Sequence, residues 1–197
     1  MVFSPISRIG YYKSMKNNFK NSWIKFIVGM VVVFGIRLIP FRVPNIEPLT
    51  ATQMPFAKKF GPFFGFFFGF LSIVLFDTVT SGIGMWTWVT AAAFGFLGIG
   101  AAAFFKNRSA TRKNFLIYGV LSTIAYDAVT GLSIGPLFWG QPFAEALFGQ
   151  IPFTLYHLAG NIVFSLLVSP LMYRWVVENN AFEPVFLFRK LGLASKE

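Results

Sequence analysis

Few side chains in this 197-residue sequence can do chemistry, and their types set narrow limits. There is one histidine, His157, and no cysteine, so thiolate nucleophiles, disulfides and Cys-ligated metals are excluded, and a lone histidine supplies no metal site. Neither H-E-x-x-H nor G-x-x-x-x-G-K-[ST] occurs, which removes zincin chemistry and ATP hydrolysis by a P-loop of the chain's own. The expectation is a protein that is not an enzyme and carries no cofactor and no metal.

Two aspartates stand out by their setting. Residues Gly69–Thr80 read GFLSIVLFDTVT and Gly119–Thr130 read GVLSTIAYDAVT, so that Gly, Leu, Ser, Asp, Val and Thr recur in register at an offset of 50. Internal repeats are common in membrane transporters, and this one predicts equivalent depths for Asp77 and Asp127. A carboxylate at the C-terminal end of a helix opposes the macrodipole and needs a partner: water, a cap from the next turn, Arg37 or Arg42, or a ligand. Two readings stay open here, aspartates that cap turns and aspartates that line an external pocket.

A second polar set follows helical spacing. Gln150, Thr154, His157, Asn161, Ser165 and Ser169 succeed one another at steps of three or four, and the first four fall within an arc of about 60° at about 100° per residue. Lipid penalises polar groups, so this face must point into a bundle or a cavity. It forms either a seam of interhelical hydrogen bonds, worth about 0.6 kcal/mol each in membranes, or a ligand contact through His157 or Asn161.

The elements that hold these residues are apolar. Hydrophobic residues make up 55% of the chain and charged residues 12%, against about 45–50% and about 25% in soluble domains, and 27 residues are phenylalanine. Such a chain cannot cover a water-facing surface. Apolar runs at Ile24–Ile39, Leu49–Lys59, Phe63–Phe76, Met85–Phe105, Phe115–Val129 and Phe153–Val177 predict an all-α membrane protein of about six transmembrane helices. They occupy residues 24–177, between a basic tail at 1–23 and a second tail at 178–197. The first run lacks an A-x-A-like cleavage site and is read as an uncleaved span. Leu49–Lys59 is short for a bilayer core of about 30 Å. The stretch from Ala144 to Val177 would be about 50 Å long as one helix, so kinks are expected at Pro152 and Pro170. Runs of small residues at Ala91–Ala93 and Gly98–Ala103 permit close helix packing. Trp86, Trp88 and Trp139 belong to an interfacial aromatic belt or stack on a flat ligand.

Charge orients the helices. With a cytoplasmic N-terminus and six spans, all of the 17 Lys and Arg residues except Arg37 and Arg42 fall inside, the split that positive-inside topology requires. An odd number of spans would put the last basic cluster outside. Both termini are therefore expected in the cytoplasm, and the formal charge of +10 reads as orientation, not nucleic-acid binding.

With the spans in place, four segments become informative in their order: PNIEPL at Pro44–Leu49, FGPFFG at Phe60–Gly65, GMWTW at Gly84–Trp88 and IPFTLYHLAGNIVF at Ile151–Phe164. A chain of this length with these segments resembles the substrate-binding S component of energy-coupling factor (ECF) transporters, over roughly Ile24 to Val177. It departs from the family at Met85, where proline is expected, and in a first helix without an A-x-x-x-A pattern. The resemblance implies an S-component-like bundle in the plasma membrane of a bacterial or archaeal cell, capturing a vitamin or related micronutrient from outside, with a cobalamin-type ligand favoured. It also implies partners: a transmembrane coupling protein and two ATPase subunits. By position it nominates Asn45, Glu47, Trp86, Thr87, Trp88, Asp127 and Trp139 as substrate-binding residues, with His157 and Asn161 beneath. The alternatives are a stand-alone proton-coupled secondary transporter using Asp77 and Asp127, and a ligand-free structural membrane protein.

Overall fold

A computed structural model describes residues 23–39, 47–184 and 186–187. Every regular element among them is helical: α1 (23–37), α2 (Leu49–Phe60), α3 (Pro62–Val79), α4 (Met85–Phe105), α5 (Arg112–Gly131), the short α6 (Ile134–Trp139) and α7 (Phe143–Met172). A π-helical turn at Tyr173–Val177 and a 3₁₀ turn at Asn180–Phe182 follow. Four segments are long and apolar enough to cross a membrane: Pro62–Val79, Met85–Phe105, Arg112–Trp139 and Phe143–Val177. The outward residues of these segments, among them Phe96, Leu121, Leu155 and Leu167, expose more than half of their surface, which suits contact with lipid.

The short α2 has a different role from the others. Every residue from Leu49 to Ala57 is buried, including Thr50, Thr52 and Gln53, because α3, α4 and α7 pack around it and Phe26 of α1 sets its ring 6.2 Å from Phe56. Its weak apolar pattern is explained by this position. A helix wrapped in protein needs hydrogen-bond partners for its polar groups more than it needs hydropathy. Thr52 Oγ1 donates to the carbonyls of Pro48 and Leu49, and Gln53 Nε2 donates to Gly65 O at 2.7 Å and Phe94 O at 2.8 Å.

Gln53 reaches those carbonyls where α3 and α4 cross on glycine. A Cβ added to Gly98 would lie 2.1 Å from Gly65 O, and one added to Gly65 would lie 2.5 Å from Gly98 O. The expected small-residue packing is thus present and joins two helices of the same chain.

The last helix differs from its expected bounds. It begins at Phe143, not Phe153, and runs unbroken for 30 residues, about 45 Å, with Pro152 and Pro170 both inside. The irregularity falls at the π turn that follows, Tyr173–Val177.

The two ends of the bundle are chemically distinct. At one end Lys58 Nζ donates to Phe105 O at 2.9 Å and Lys25 Nζ to Val177 O at 2.9 Å, capping the carbonyls that end α4 and the π turn. Lys59 lies 3.7 Å from Glu178 at the same end. Arg37, Glu47 and Asp77 gather at the opposite end.

Candidate ligand site

The last turn of α1, the residues leading into α2 and the last turns of α3 meet in an electrostatic cluster. Arg37 Nε lies 3.3 Å from Glu47 Oε2, Arg37 Nη1 donates to Ser72 O at 3.4 Å, and the guanidinium carbon stands 3.8 Å from the centre of the Phe76 ring. Glu47 Oε1 also accepts from Leu49 N at 3.1 Å, so it caps the start of α2 while balancing Arg37.

Asp77 ends α3. Its carbonyl accepts from Thr80 N and Gly82 N, a reversal that needs the left-handed φ of 80° at Gly82. The chain then re-enters the bundle as α4, whose Thr87 hydroxyl donates to Asp77 Oδ2 at 2.7 Å and accepts from Gly84 N at 3.1 Å. Its repeat partner Asp127 takes another solution. Asp127 Oδ1 lies 2.8 Å from His157 Nδ1 on α7, with both side chains almost wholly buried. Among the described residues, the compensation expected for the two aspartates comes from the next turn for one and from histidine for the other, while Arg37 serves Glu47; Arg42 lies outside the described residues.

Below that pair, α5 and α7 face each other in rungs. Asn161 Nδ2 donates to Thr123 Oγ1 at 2.7 Å, and a Cβ on Gly119 would meet Ser165 Oγ at 2.2 Å. Each step of four down one helix matches a step of four up the other, as antiparallel i±4 ridges require. Ser169 Oγ, lower still, donates to Ala51 O of α2 at 2.7 Å. Asp127 Oδ2, His157 Nε2, Asn161 Oδ1 and Ser165 Oγ are buried without a hydrogen-bond partner among the described residues. Gln150 and Thr154, at the head of the same stripe, bond to each other at 3.2 Å beside an outer groove between α5 and α7.

Above the pair opens a cavity of about 370 Å³. Arg37, Glu47, Asp77 and His157 supply its charged or titratable wall, and Trp86, Phe94, Tyr126 and Phe153 its aromatic wall. Phe94 and Tyr126 are in ring contact at 4.4 Å, and the edges of Tyr126 and Phe153 frame His157 at 5.8 and 6.1 Å.

Of the residues nominated from sequence, Glu47, Trp86 and His157 line this cavity. Thr87 and Asp127 stand behind it, each holding a wall residue in place, and Asn161 lies one turn deeper in the seam. Trp88 and Trp139 do not belong to it. Trp88 is two residues from Trp86, about 200° around the helix, and sits half exposed beside Phe70; Trp139 is exposed on α6, no residue of which is buried. Asn45 lies outside the described residues. Tyr126, Phe94 and Phe153 were not nominated, since nothing in their spacing separates them from core aromatics. Arg37 carried a usable signal, a charge inside an apolar run.

One serine pattern also needs a place. Gly131–Gly135 reads GLSIG, the spacing of a nucleophile elbow, which requires a strand-to-helix turn and a histidine partner. Ser133 instead sits between α5 and α6, helix to helix, its hydroxyl donating to Val129 O. Among the described residues no group of three or more His, Asp or Glu side chains is arranged to hold a metal. Comparison of the chain with protein-family models, with curated proteins and with solved structures finds no match.

Proposed function

We propose that this chain is a substrate-specific membrane subunit that captures a vitamin-like small molecule and passes it to a separate energising module, in the manner of an ECF S component. The single observation that carries the proposal is the cavity: four charged or titratable groups and four aromatic rings converge at one end of an apolar bundle. Aromatic rings offer flat contact surface and the polar groups between them fix a small molecule's orientation. In this reading α1 and α2 complete six membrane-embedded helices, the basic end faces the cytoplasm and the cavity opens outside, in a bacterial or archaeal plasma membrane. ATP hydrolysis then falls to two ATPase subunits joined through a transmembrane coupling protein, since the chain has no P-loop. The volume of about 370 Å³ is near the lower end of ligand pockets, about 300–1,000 Å³, and favours a compact ligand over a corrinoid. The test is purification from membranes followed by mass spectrometry of co-purifying small molecules and proteins. A recovered micronutrient together with a coupling module supports the proposal; recovery of neither refutes it.

The Asp127–His157 pair favours a second reading, proton-coupled transport without ATPases, because a buried carboxylate and imidazole at 2.8 Å can share and pass a proton. Uptake into liposomes driven by a proton gradient and abolished by Asp127→Asn would decide for it.

A further inference from the structure

Resting on the capture reading above, we infer that the ligand is a compact organic cation carrying a ring, drawn to the carboxylate of Asp77 and the aromatic wall beside it. The charges of the cavity are not all balanced. The charge of Arg37 is balanced by Glu47 at 3.3 Å, and its guanidinium also touches the Ser72 carbonyl and the face of Phe76, although Nε makes no hydrogen bond among the described residues. Asp77 has only the neutral hydroxyl of Thr87, and forms no ion pair among the described residues. His157 does not reverse the sign. Paired with Asp127, it gives a net charge of −1 when the imidazole is neutral and zero when it is protonated, never a positive one.

Summed over the described residues, the charged groups of the cavity are therefore net negative in either state. A carboxylate without a cationic partner attracts a cation by Coulomb's law, and more strongly in a cleft than in bulk water. The rings of Trp86, Phe94 and Tyr126 add to the preference, because π faces attract cations and stack on flat ligands. The whole-chain charge of +10 points the other way and would predict anions. Lys25, Lys58 and Lys59, however, gather at the far end of the bundle, where they pair with backbone carbonyls and Glu178.

Benzamidinium, benzamide and benzoate share one ring and one shape and differ in charge. Titrated calorimetrically into the full chain in lipid nanodiscs, benzamidinium is expected to bind at least about tenfold more tightly than benzamide, and benzoate not at all. Asp77→Asn, which still accepts the Thr87 bond, should erase the preference for the cation. Glu47→Gln leaves Arg37 uncompensated and should shift the preference towards benzoate, which keeps the test alive if the Asp77 variant misfolds. Equal or tighter binding of benzoate or benzamide by the unaltered chain overturns the cation inference and leaves the capture reading standing. If none of the three binds, the molecule that co-purifies with the chain decides. A cation upholds the inference, a neutral or anionic compound overturns it, and recovery of nothing overturns the inference and the capture reading together.

Discussion

Replacing Asp127 with alanine removes the partner of His157 Nδ1 at 2.8 Å, in a place where the carboxylate residue is 1% and the imidazole residue 3% exposed. Among the described residues neither side chain has a second bond to fall back on, because Asp127 Oδ2 and His157 Nε2 are without partners there. Breaking a buried charged pair costs about 3–5 kcal/mol, and orphaning one end of a buried neutral hydrogen bond about 1–3 kcal/mol. The two ranges meet at about 3 kcal/mol. For a chain of this size each kcal/mol moves the melting temperature by about 2–4 °C, so Asp127→Ala should melt about 6–12 °C lower. The assay is thermal unfolding in detergent, followed by tryptophan fluorescence, for Asp127→Ala, His157→Ala and the double variant. The double variant should be little worse than the poorer single one, with a coupling of about 0.5–3 kcal/mol. Asp127→Asn adds a reading of charge: it keeps an acceptor for Nδ1, so it restores stability if the bond is neutral and does not if the pair is ionic. Additivity within about 0.5 kcal/mol would refute the pairing and with it the argument that Asp127 fixes the His157 ring at the cavity floor.

Three further outcomes follow from the packing. Gly98→Ala forces a Cβ against the Gly65 backbone and should destabilise by about 1–3 kcal/mol, whereas Gly149→Ala, with nothing within 4 Å, should be neutral or stabilising in the same melting assay. Trp86→Ala should weaken binding of the co-purified ligand by about twofold to tenfold through loss of one aromatic contact, about 0.5–1.5 kcal/mol, while Trp88→Ala leaves affinity unchanged by calorimetry. Because the chain has no cysteine, Ser81→Cys and Ser109→Cys each create a single reactive thiol, in exposed turns at opposite ends of the bundle. A membrane-impermeant maleimide added to intact cells should label position 81 and reach position 109 only after permeabilisation.

Much of this architecture is readable from hydropathy because lipid-facing helices must be apolar along their length. The bounds of α4 agree with the apolar run, and α3 and α5 start 50 residues apart, the offset of the repeat. Where reading by hydropathy loses force, a helix does not face lipid. Nine consecutive buried residues make α2 the centre of the bundle, yet Thr50, Thr52 and Gln53 depress the signal that would have announced it. Burial in protein replaces the demand for apolar side chains with a demand for specific acceptors, here Pro48, Leu49, Gly65 and Phe94 carbonyls, and those belong to other parts of the chain. No local window contains both halves of that bargain.

The stripe on α7 shows why the site was only partly legible. Periodicity puts His157, Asn161, Ser165 and Ser169 on one buried face, whereas Gln150 and Thr154, expected to point inward with them, are half-buried beside an outer groove; it leaves seam and ligand contact as rivals. The same face carries both a seam and a residue that lines the cavity, at different depths. Asn161 turns to Thr123 and Ser169 to Ala51, closing the seam, while His157, one turn nearer the acidic end, is framed by Tyr126 and Phe153 and meets the cavity. Angle around a helix is written in the spacing of residues. Depth relative to a cavity depends on where four other helices stop, which for this protein means Arg37, Glu47, Asp77 and Trp86 arriving from α1, the approach to α2, α3 and α4. The stripe therefore reaches the cavity at His157, the one position where the residue that closes a rung of the seam also lines the open end.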